Sequence, residues 1–176
     1  MYSSIAVWPQ CNAHAADYTA APEHSVKAAF LYKFAGYVDW PETMFASSDT
    51  PITIAVVGDE PIAMELSQIV AGRIAQGHPI EVKRLKSSES VAGIHILFIG
   101  RTEAERLERM AQLAQAHSIL MVTDSIGALA KGSVINFVLA DNRLRFEVSL
   151  VTAEKCGLRL SSRLLAVALQ VHAGER

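Results

Sequence analysis

The 176-residue sequence predicts an α/β fold in a single three-layer domain: a mostly parallel sheet, an antiparallel C-terminal hairpin and helices on both faces. Two observations predict this class. Between residues 52 and 123, short β-branched runs alternate with helix-periodic segments, as in βαβ units. The last third instead holds two strand-like runs either side of a two-residue turn, Asp141-Asn142. We place the domain at residues 21–172.

The segment Val26–Pro41 predicts the first helix, which is apolar over most of its circumference. Only Lys27 and Lys33 are expected to lie in solvent. Because a proline disfavours α geometry in the residue before it, the helix should end near Asp39. The apolar surface is wider than one stripe, so this is either a well-buried core helix or one that also contacts another protein.

The middle of the chain predicts alternating strands and helices. We expect Asp59 or Glu60 to cap the second helix, with Pro61 in its first turn. Thr102 with Glu105 should form a capping box for the third helix. The predicted elements are strands at 52–57, 80–85, 95–99 and 119–123, helices at 62–70 and 102–116, a helical turn at 125–130, a short helix at 152–156 and a last helix capped by Ser161.

The two runs beside Asp141-Asn142 predict a hairpin of defined register. If Ala140 pairs with Arg143, every side chain on one face of the hairpin is apolar. The other face then carries the polar residues, among them Arg145 and Glu147. A slip by one residue would scramble both faces, and the pattern therefore specifies this pairing.

Composition excludes several classes of function. A formal net charge of −2 and a pI near 6.3 give no electrostatic case for nucleic acid or an anionic membrane. No apolar run reaches the roughly 20 residues of a membrane span. The six histidines show no metal-ligand spacing. Nucleotide-binding glycine motifs and the G-x-S-x-G motif of serine hydrolases are absent from the sequence, so we expect no cofactor and no enzyme.

The N-terminal segment 1–20 is leader-like or disordered. Ala13-His14-Ala15 matches the end of a secretory leader, but no basic residue precedes the apolar patch as a leader requires, unless the true start codon lies elsewhere. A disordered cytoplasmic tail is the alternative. Cleavage would leave Cys156 as the one cysteine of the mature chain, and we expect it to be a buried structural thiol.

Two groups of residues are candidate sites. Gly58, Asp59, Gly100 and Arg101 should lie at the carboxyl ends of parallel strands, where open α/β sheets bind small ligands. Ordinary turn residues are the alternative reading of these positions, and no constellation of charges supports a pocket there.

The second candidate is a partner-binding surface around the polar face of the hairpin, where guanidinium groups would meet the carboxylates of a partner. Its alternative is a solvated sheet face whose ion pairs contribute at most about 1 kcal/mol each. The residues of this candidate surface are Phe137, Arg145, Glu147, Leu158, Arg159 and Arg163.

Three segments carry a resemblance to a known family. VKAAFLYKFAGYVDWP at 26–41, VINFVLADNRLRFEVSL at 134–150 and GLRLSSRLLAVA at 157–168 occur in the order and spacing of the YfiR family. The similarity runs from about Ser25 to Ala168, nearly the whole chain. YfiR proteins are small periplasmic repressors of a membrane-bound diguanylate cyclase.

The resemblance implies an exported, non-enzymatic regulator that binds the periplasmic sensor part of the cyclase and so controls cyclic di-GMP and biofilm formation. It further implies sequestration by an outer-membrane lipoprotein. Spare apolar surface on the first helix would serve a homodimer or partner docking. Some family members carry cysteine pairs, and redox sensing through them should be absent here. The alternative function is a periplasmic small-molecule-binding protein with its pocket at the strand ends.

Overall fold

The computed structural model describes residues 21–86 and 88–174, and the N-terminal segment 1–20 lies outside them. The described chain has the predicted α/β class. Its strands are β1 (Val38–Asp39), β2 (Ile52–Val57), β3 (Ile74–Ala75), β4 (His78–Arg84), β5 (Ile96–Ile99), β6 (Leu120–Thr123), β7 (Ile135–Ala140), β8 (Arg143–Ser149), β9 (Arg159–Leu160) and β10 (Gln170–His172). Its α-helices are α1 (Glu23–Phe34), α2 (Glu60–Val70), α3 (Leu107–Ala116), α4 (Leu150–Lys155) and α5 (Ser162–Val167).

The main sheet has eight strands in the order β10-β8-β7-β6-β5-β2-β4-β3, and β1 pairs with β9 in a separate two-stranded sheet. Pairing is parallel through the centre of the main sheet and antiparallel only between β7 and β8 and between β3 and β4. Strand β10 was not predicted. It pairs in parallel with β8, where the backbone N–H of Leu169 donates to the carbonyl of Phe146 at 2.8 Å.

The sheet separates two apolar cores, as three layers require. Successive residues of a strand point to opposite faces, so Ile54 and Val56 join one core while Ala55 and Val57 join the other. Buried residues of α1 and α2 belong to the first core, and those of α3 belong to the second. The prediction of helices on both faces is confirmed.

The hairpin has the predicted register. Asn136 pairs with Glu147, and Ala140 pairs with Arg143 at the turn. Both turn residues have positive φ, 50° for Asp141 and 60° for Asn142. Left-handed backbone at two central residues is the geometry that matches a two-residue turn to the strand twist, and Asp and Asn tolerate it.

The first helix differs from the prediction in its end and in one lysine. Helix α1 ends at Phe34 rather than near Asp39, because Gly36 weakens the helix and the chain after it pairs with β9. Lys27, expected in solvent, is 3% exposed. A buried ammonium needs a partner, and the carboxylates of Glu23 and Asp124 supply it.

The predicted helix caps are confirmed at two positions and wrong at a third. Asp59 Oδ1 accepts the backbone N–H of Ile62 at 3.1 Å. Ser161 Oγ accepts the N–H of Leu164 at 3.3 Å. The capping box is wrong, because residues 101–106 form a 3-10 helix before α3, and Thr102 Oγ1 instead donates to the carbonyl of Gly58 at 3.0 Å.

Candidate functional site

A groove with a cavity volume of about 600 Å³ lies between α1, the exposed end of β8 and α5. In the described residues β10 pairs with β8 at 147–149 and the Leu169 N–H bonds to the carbonyl of Phe146, so the groove lies beside the earlier part of β8. We call it the basic groove. Its lining residues are Phe30, Lys33, Phe34, Tyr37, Arg145, Phe146, Arg163, Leu164 and Val167.

The floor of the basic groove is a cluster of aromatic rings. The ring centroid of Phe146 lies 5.4 Å from that of Phe30 and 5.3 Å from that of Phe34, both in edge-on geometry. Phe137 packs beneath, with its centroid 6.1 Å from that of Phe34. Edge-to-face pairs at these distances are favourable, and Phe34, Phe137 and Phe146 are buried. Phe30 is half-buried, so it supplies the aromatic area that a partner could reach, and the buried rings support it from beneath.

Three cations stand around this floor. Lys33 and Arg163 are exposed, Arg145 is half-buried, and the lining residues include no carboxylate. None of the three forms a salt bridge with a residue in 21–86 or 88–174. Tyr37 and Val167, which are 37% and 56% exposed, add apolar surface at the rim of the groove. The groove can therefore take an apolar group that carries neighbouring negative charge.

The structure brings together only part of the predicted partner surface. Arg145 and Arg163 line the basic groove. Phe137 and Leu158 are 4% and 3% exposed, so they support the surface from within and have almost no area to offer a partner. Arg159 lies opposite Asp39 in the small sheet.

Glu147 also lies outside the basic groove. It lies on β8, which is flanked by β7 and β10, and it pairs with Asn136 on β7 and Gln170 on β10. Glu147 shares a face of β8 with Arg145, as the register predicts, but it is not a lining residue of the groove, and its role in partner binding stays a prediction.

The predicted ligand residues at the strand ends are divided between two places. Gly100 packs so closely on Gly58 that a Cβ at position 100 would lie 2.9 Å from the Gly58 carbonyl oxygen. Gly58 itself has a φ of 74° and needs glycine for its turn. The carboxylate of Asp59 is engaged in capping α2. Gly58 and Asp59 line a cavity of about 360 Å³ beside α2, whereas Arg101 lines a different cavity, where its guanidinium bonds to Asp124.

A buried charge cluster at that cavity was missed from the sequence. Lys27 Nζ lies 2.7 Å from Asp124 Oδ2 and 2.5 Å from Glu23 Oε1. The Arg101 guanidinium reaches both carboxylates, at 3.2 and 3.0 Å. The hydrogen bond from Lys27 lowers the pKa of Glu23, and the charge of Asp124 raises the pKa of Arg101. The i,i+4 spacing of Glu23 and Lys27 was the one local signal.

Metal sites, the cysteine thiol and membrane-spanning helices were also considered for the part of the chain that the structure describes. No group of three or more His, Cys, Asp or Glu side chains among these residues could hold a metal ion. The Cys156 thiol is buried, and burial raises its pKa. Within the same residues, none of the helices has the length and apolarity needed to cross a membrane.

Comparison with known proteins supplies the family. The model of the YfiR/HmsC-like family matches residues 24–169, which include α1, the hairpin and α5. The chain belongs to the YfiR/HmsC-like family. Members of this family are periplasmic regulators of cyclic di-GMP signalling. The resemblance found in the three sequence segments is thereby confirmed.

One solved structure supports the fold of this YfiR/HmsC-like chain. It is a conserved domain protein from Vibrio cholerae O1 biovar El Tor strain N16961, with a TM-score of 0.56 and 12% sequence identity. The match covers 85% of this chain and 60% of that chain, so this chain spans less than two thirds of that protein. At this identity the likeness establishes the architecture alone. No curated protein matches the sequence.

Proposed function

We propose that this YfiR/HmsC-like chain is an exported repressor that binds the periplasmic sensor part of a membrane diguanylate cyclase through the basic groove. The observation that carries the proposal is the combination of an aromatic floor with three cations that form no salt bridge within residues 21–86 and 88–174. Exposed apolar area beside unpaired charge is typical of an interaction surface, and regulation through a partner is what the family implies.

The groove defines the chemistry of the partner segment. An aromatic or aliphatic anchor would pack on Phe30, Tyr37 and Val167, above the buried rings of the floor. Flanking carboxylates would pair with Arg145 and Arg163. Partly enclosed aromatic pockets hold most of the binding energy in protein interfaces. Guanidinium groups pair with carboxylates in a fixed geometry, so they select the orientation of the segment.

Repression then works by a shift in population. The chain must bind the inactive arrangement of the cyclase more tightly than the active one, because a ligand of equal affinity for both states shifts nothing. An outer-membrane lipoprotein that presents a similar acidic and apolar segment would compete for the same groove and release the cyclase. Control of cyclic di-GMP and biofilm formation follows from this competition. This competition is compatible with a homodimer in which both basic grooves stay open.

Export is part of the same proposal. The segment ending at Ala13-His14-Ala15 would be removed as a secretory leader, which puts the mature chain on the side of the membrane where the cyclase sensor lies. N-terminal sequencing of the chain recovered from the periplasmic fraction tests this step. A mature N-terminus close to Ala16 agrees with export, and an intact Met1 in the cytoplasmic fraction contradicts it.

Site-specific photo-crosslinking tests the binding surface. A photoreactive phenylalanine analogue at Val167 places the reactive group on the groove rim, and the same analogue at Arg109 places it on exposed α3, on the opposite side of the sheet. We expect the Val167 probe to crosslink a membrane diguanylate cyclase in whole cells, and the Arg109 probe to give no such product. Equal crosslinking from both positions, or none to a cyclase, contradicts the proposal.

A further inference from the structure

A second cavity, of about 670 Å³, opens at the carboxyl ends of β5 and β6 and is distinct from the basic groove. Its polar side holds the cluster of Glu23, Lys27, Arg101 and Asp124, and its apolar side is supplied by the hairpin. The carboxyl ends of parallel strands are where open α/β sheets bind ligands.

Two polar atoms at this cavity lack a partner. Asp124 Oδ1 and Ser125 Oγ are closed off from solvent and make no hydrogen bond with the residues that the structure describes. The Asp124 side chain is 3% exposed and Ser125 is 7% exposed. Leaving buried polar atoms unpartnered costs free energy, so native structures rarely do it without a reason. A ligand that donates hydrogen bonds at this point would recover that free energy.

Asn136 offers the cavity a donor. Its Oδ1 accepts from Thr123 Oγ1 at 2.8 Å and from the backbone N–H of Ser125 at 3.2 Å. A backbone N–H can only donate, so these bonds fix which end of the amide is the oxygen. The other end of the amide, Nδ2, is therefore the donor that Asn136, a lining residue of the cavity, can offer to a ligand.

The charges of the cluster indicate a ligand of no net charge. Two carboxylates and two cations balance one another, and an ionic ligand of single sign would disturb that balance. Arg101 is the most exposed member of the cluster, with 62% of its side chain accessible, and it bonds to Asp124 at 3.2 and 3.3 Å and to Glu23 at 3.0 Å. Lys27, 4% exposed and 2.7 Å from Asp124, is held more tightly.

The apolar side of the cavity is unusually open. Leu139 on the hairpin is 67% exposed, and Ile126, the residue after Ser125, is completely exposed. Half-buried Leu144 lies opposite Leu139 in the hairpin register. A ligand with a short aliphatic group would cover this surface.

We propose that this cavity binds a small zwitterion with an aliphatic side chain, an amino-acid-like molecule. Its ammonium group donates to Asp124 Oδ1 and Ser125 Oγ as Arg101 swings outward. Its carboxylate accepts from the Arg101 guanidinium and from Asn136 Nδ2. The aliphatic group lies on Leu139. This site is separate from the basic groove, so the inference does not depend on the proposed repressor function.

The test titrates the full mature chain with three probes and follows binding by NMR and calorimetry. L-Leucine carries both charged groups, 4-methylpentanoate lacks the ammonium, and 3-methylbutan-1-amine lacks the carboxylate. We expect saturable binding of L-leucine that shifts the side-chain amide signal of Asn136, and at least about tenfold weaker binding of either fragment, as the loss of one charged hydrogen-bonding group predicts. No saturable binding of L-leucine, or equal binding of a fragment, overturns the proposal.

A variant separates the site from the rest of the fold. Ser125→Ala removes a hydroxyl that makes no hydrogen bond with the described residues, so stability should be unchanged while the affinity for L-leucine falls about tenfold. Ser88→Ala, on an exposed loop, is the control and should keep full affinity. Undiminished binding by Ser125→Ala overturns the assignment. Crosslinking of the cyclase through the basic groove should be the same in Ser125→Ala and the parent chain, so the two proposals can fail separately.

Discussion

Lys27 Nζ lies 2.7 Å from Asp124 Oδ2, and the two side chains are 4% and 3% exposed. The contact joins the first turns of α1 to the end of β6 across 97 residues of sequence. It holds α1 against the sheet, and α1 supplies Phe30 and Phe34 to the floor of the basic groove. A buried ion pair thus positions the aromatic rings of the groove through which we propose that a partner binds.

Removal of one member of this pair should destabilise the fold. Lys27→Met leaves Asp124 buried with only the exposed Arg101 as a counter-ion, and we expect the free energy of unfolding to fall by about 3 kcal/mol. Urea denaturation followed by circular dichroism measures it. The control is Arg84→Ala, which breaks the exposed pair with Glu60 and should cost less than about 1 kcal/mol. Equal effects of the two variants would show that burial does not distinguish the pairs.

The hairpin turn should tolerate only residues that accept positive φ. Asn142 has a φ of 60°, so Asn142→Val should lower the free energy of unfolding by about 1–2 kcal/mol. Asn142→Gly is the matched control, because glycine adopts this conformation without strain, and its effect should be close to zero. Thermal or urea unfolding of both variants measures the difference. A valine variant as stable as the glycine variant would contradict the turn geometry.

His95 should make the fold sensitive to acid. The imidazole is buried and desolvation lowers its pKa to about 4, while its Nδ1 accepts the backbone N–H of Thr53 at 3.2 Å. The unfolded chain binds this proton near pH 6.5, so stability from the neutral imidazole is complete above that pH and is lost as the pH falls towards 4. The total loss is about 3 kcal/mol, since each pKa unit corresponds to about 1.4 kcal/mol.

Urea unfolding between neutral pH and pH 4 measures this loss. The control is His95→Asn, whose side-chain oxygen can still accept from Thr53 but does not titrate. The stability of the variant should depend less on pH than that of the parent chain over this interval. Parallel pH profiles for the two proteins would assign the acid sensitivity to other groups.

The hairpin shows what the sequence could predict. Its register depends on residues close in the chain, since alternating side chains and the turn at Asp141-Asn142 both select the pairing of Ala140 with Arg143. Asp59 and Ser161 as helix caps are equally local. The helix end at Phe34 was not predictable in the same way, because distant strand β9 pairs with the residues that follow it.

The candidate site was predictable only in part. The sequence motifs identified Arg145 and Arg163 as candidates. The broad apolar surface of α1 indicated that the core or another protein packs against this helix. The burial of Phe137 and Leu158 depends on which elements cover them, and the position of Glu147 depends on β10. Lys27 was misassigned because its partner Asp124 is remote in sequence, and hydropathy alone treats every lysine as exposed.

The central claim is that the cations of the basic groove hold a partner. The deciding measurement is cyclic di-GMP in cells that lack the chromosomal gene and express either the double variant Arg145→Glu/Arg163→Glu or the control Arg109→Glu/Arg143→Glu. Both change the net charge equally, and both Arg109 and Arg143 are exposed outside the groove. We predict that the groove variant, folded and exported, leaves cyclic di-GMP as high as in the deletion strain, whereas the control restores the low level. Full repression by the groove variant would contradict the account.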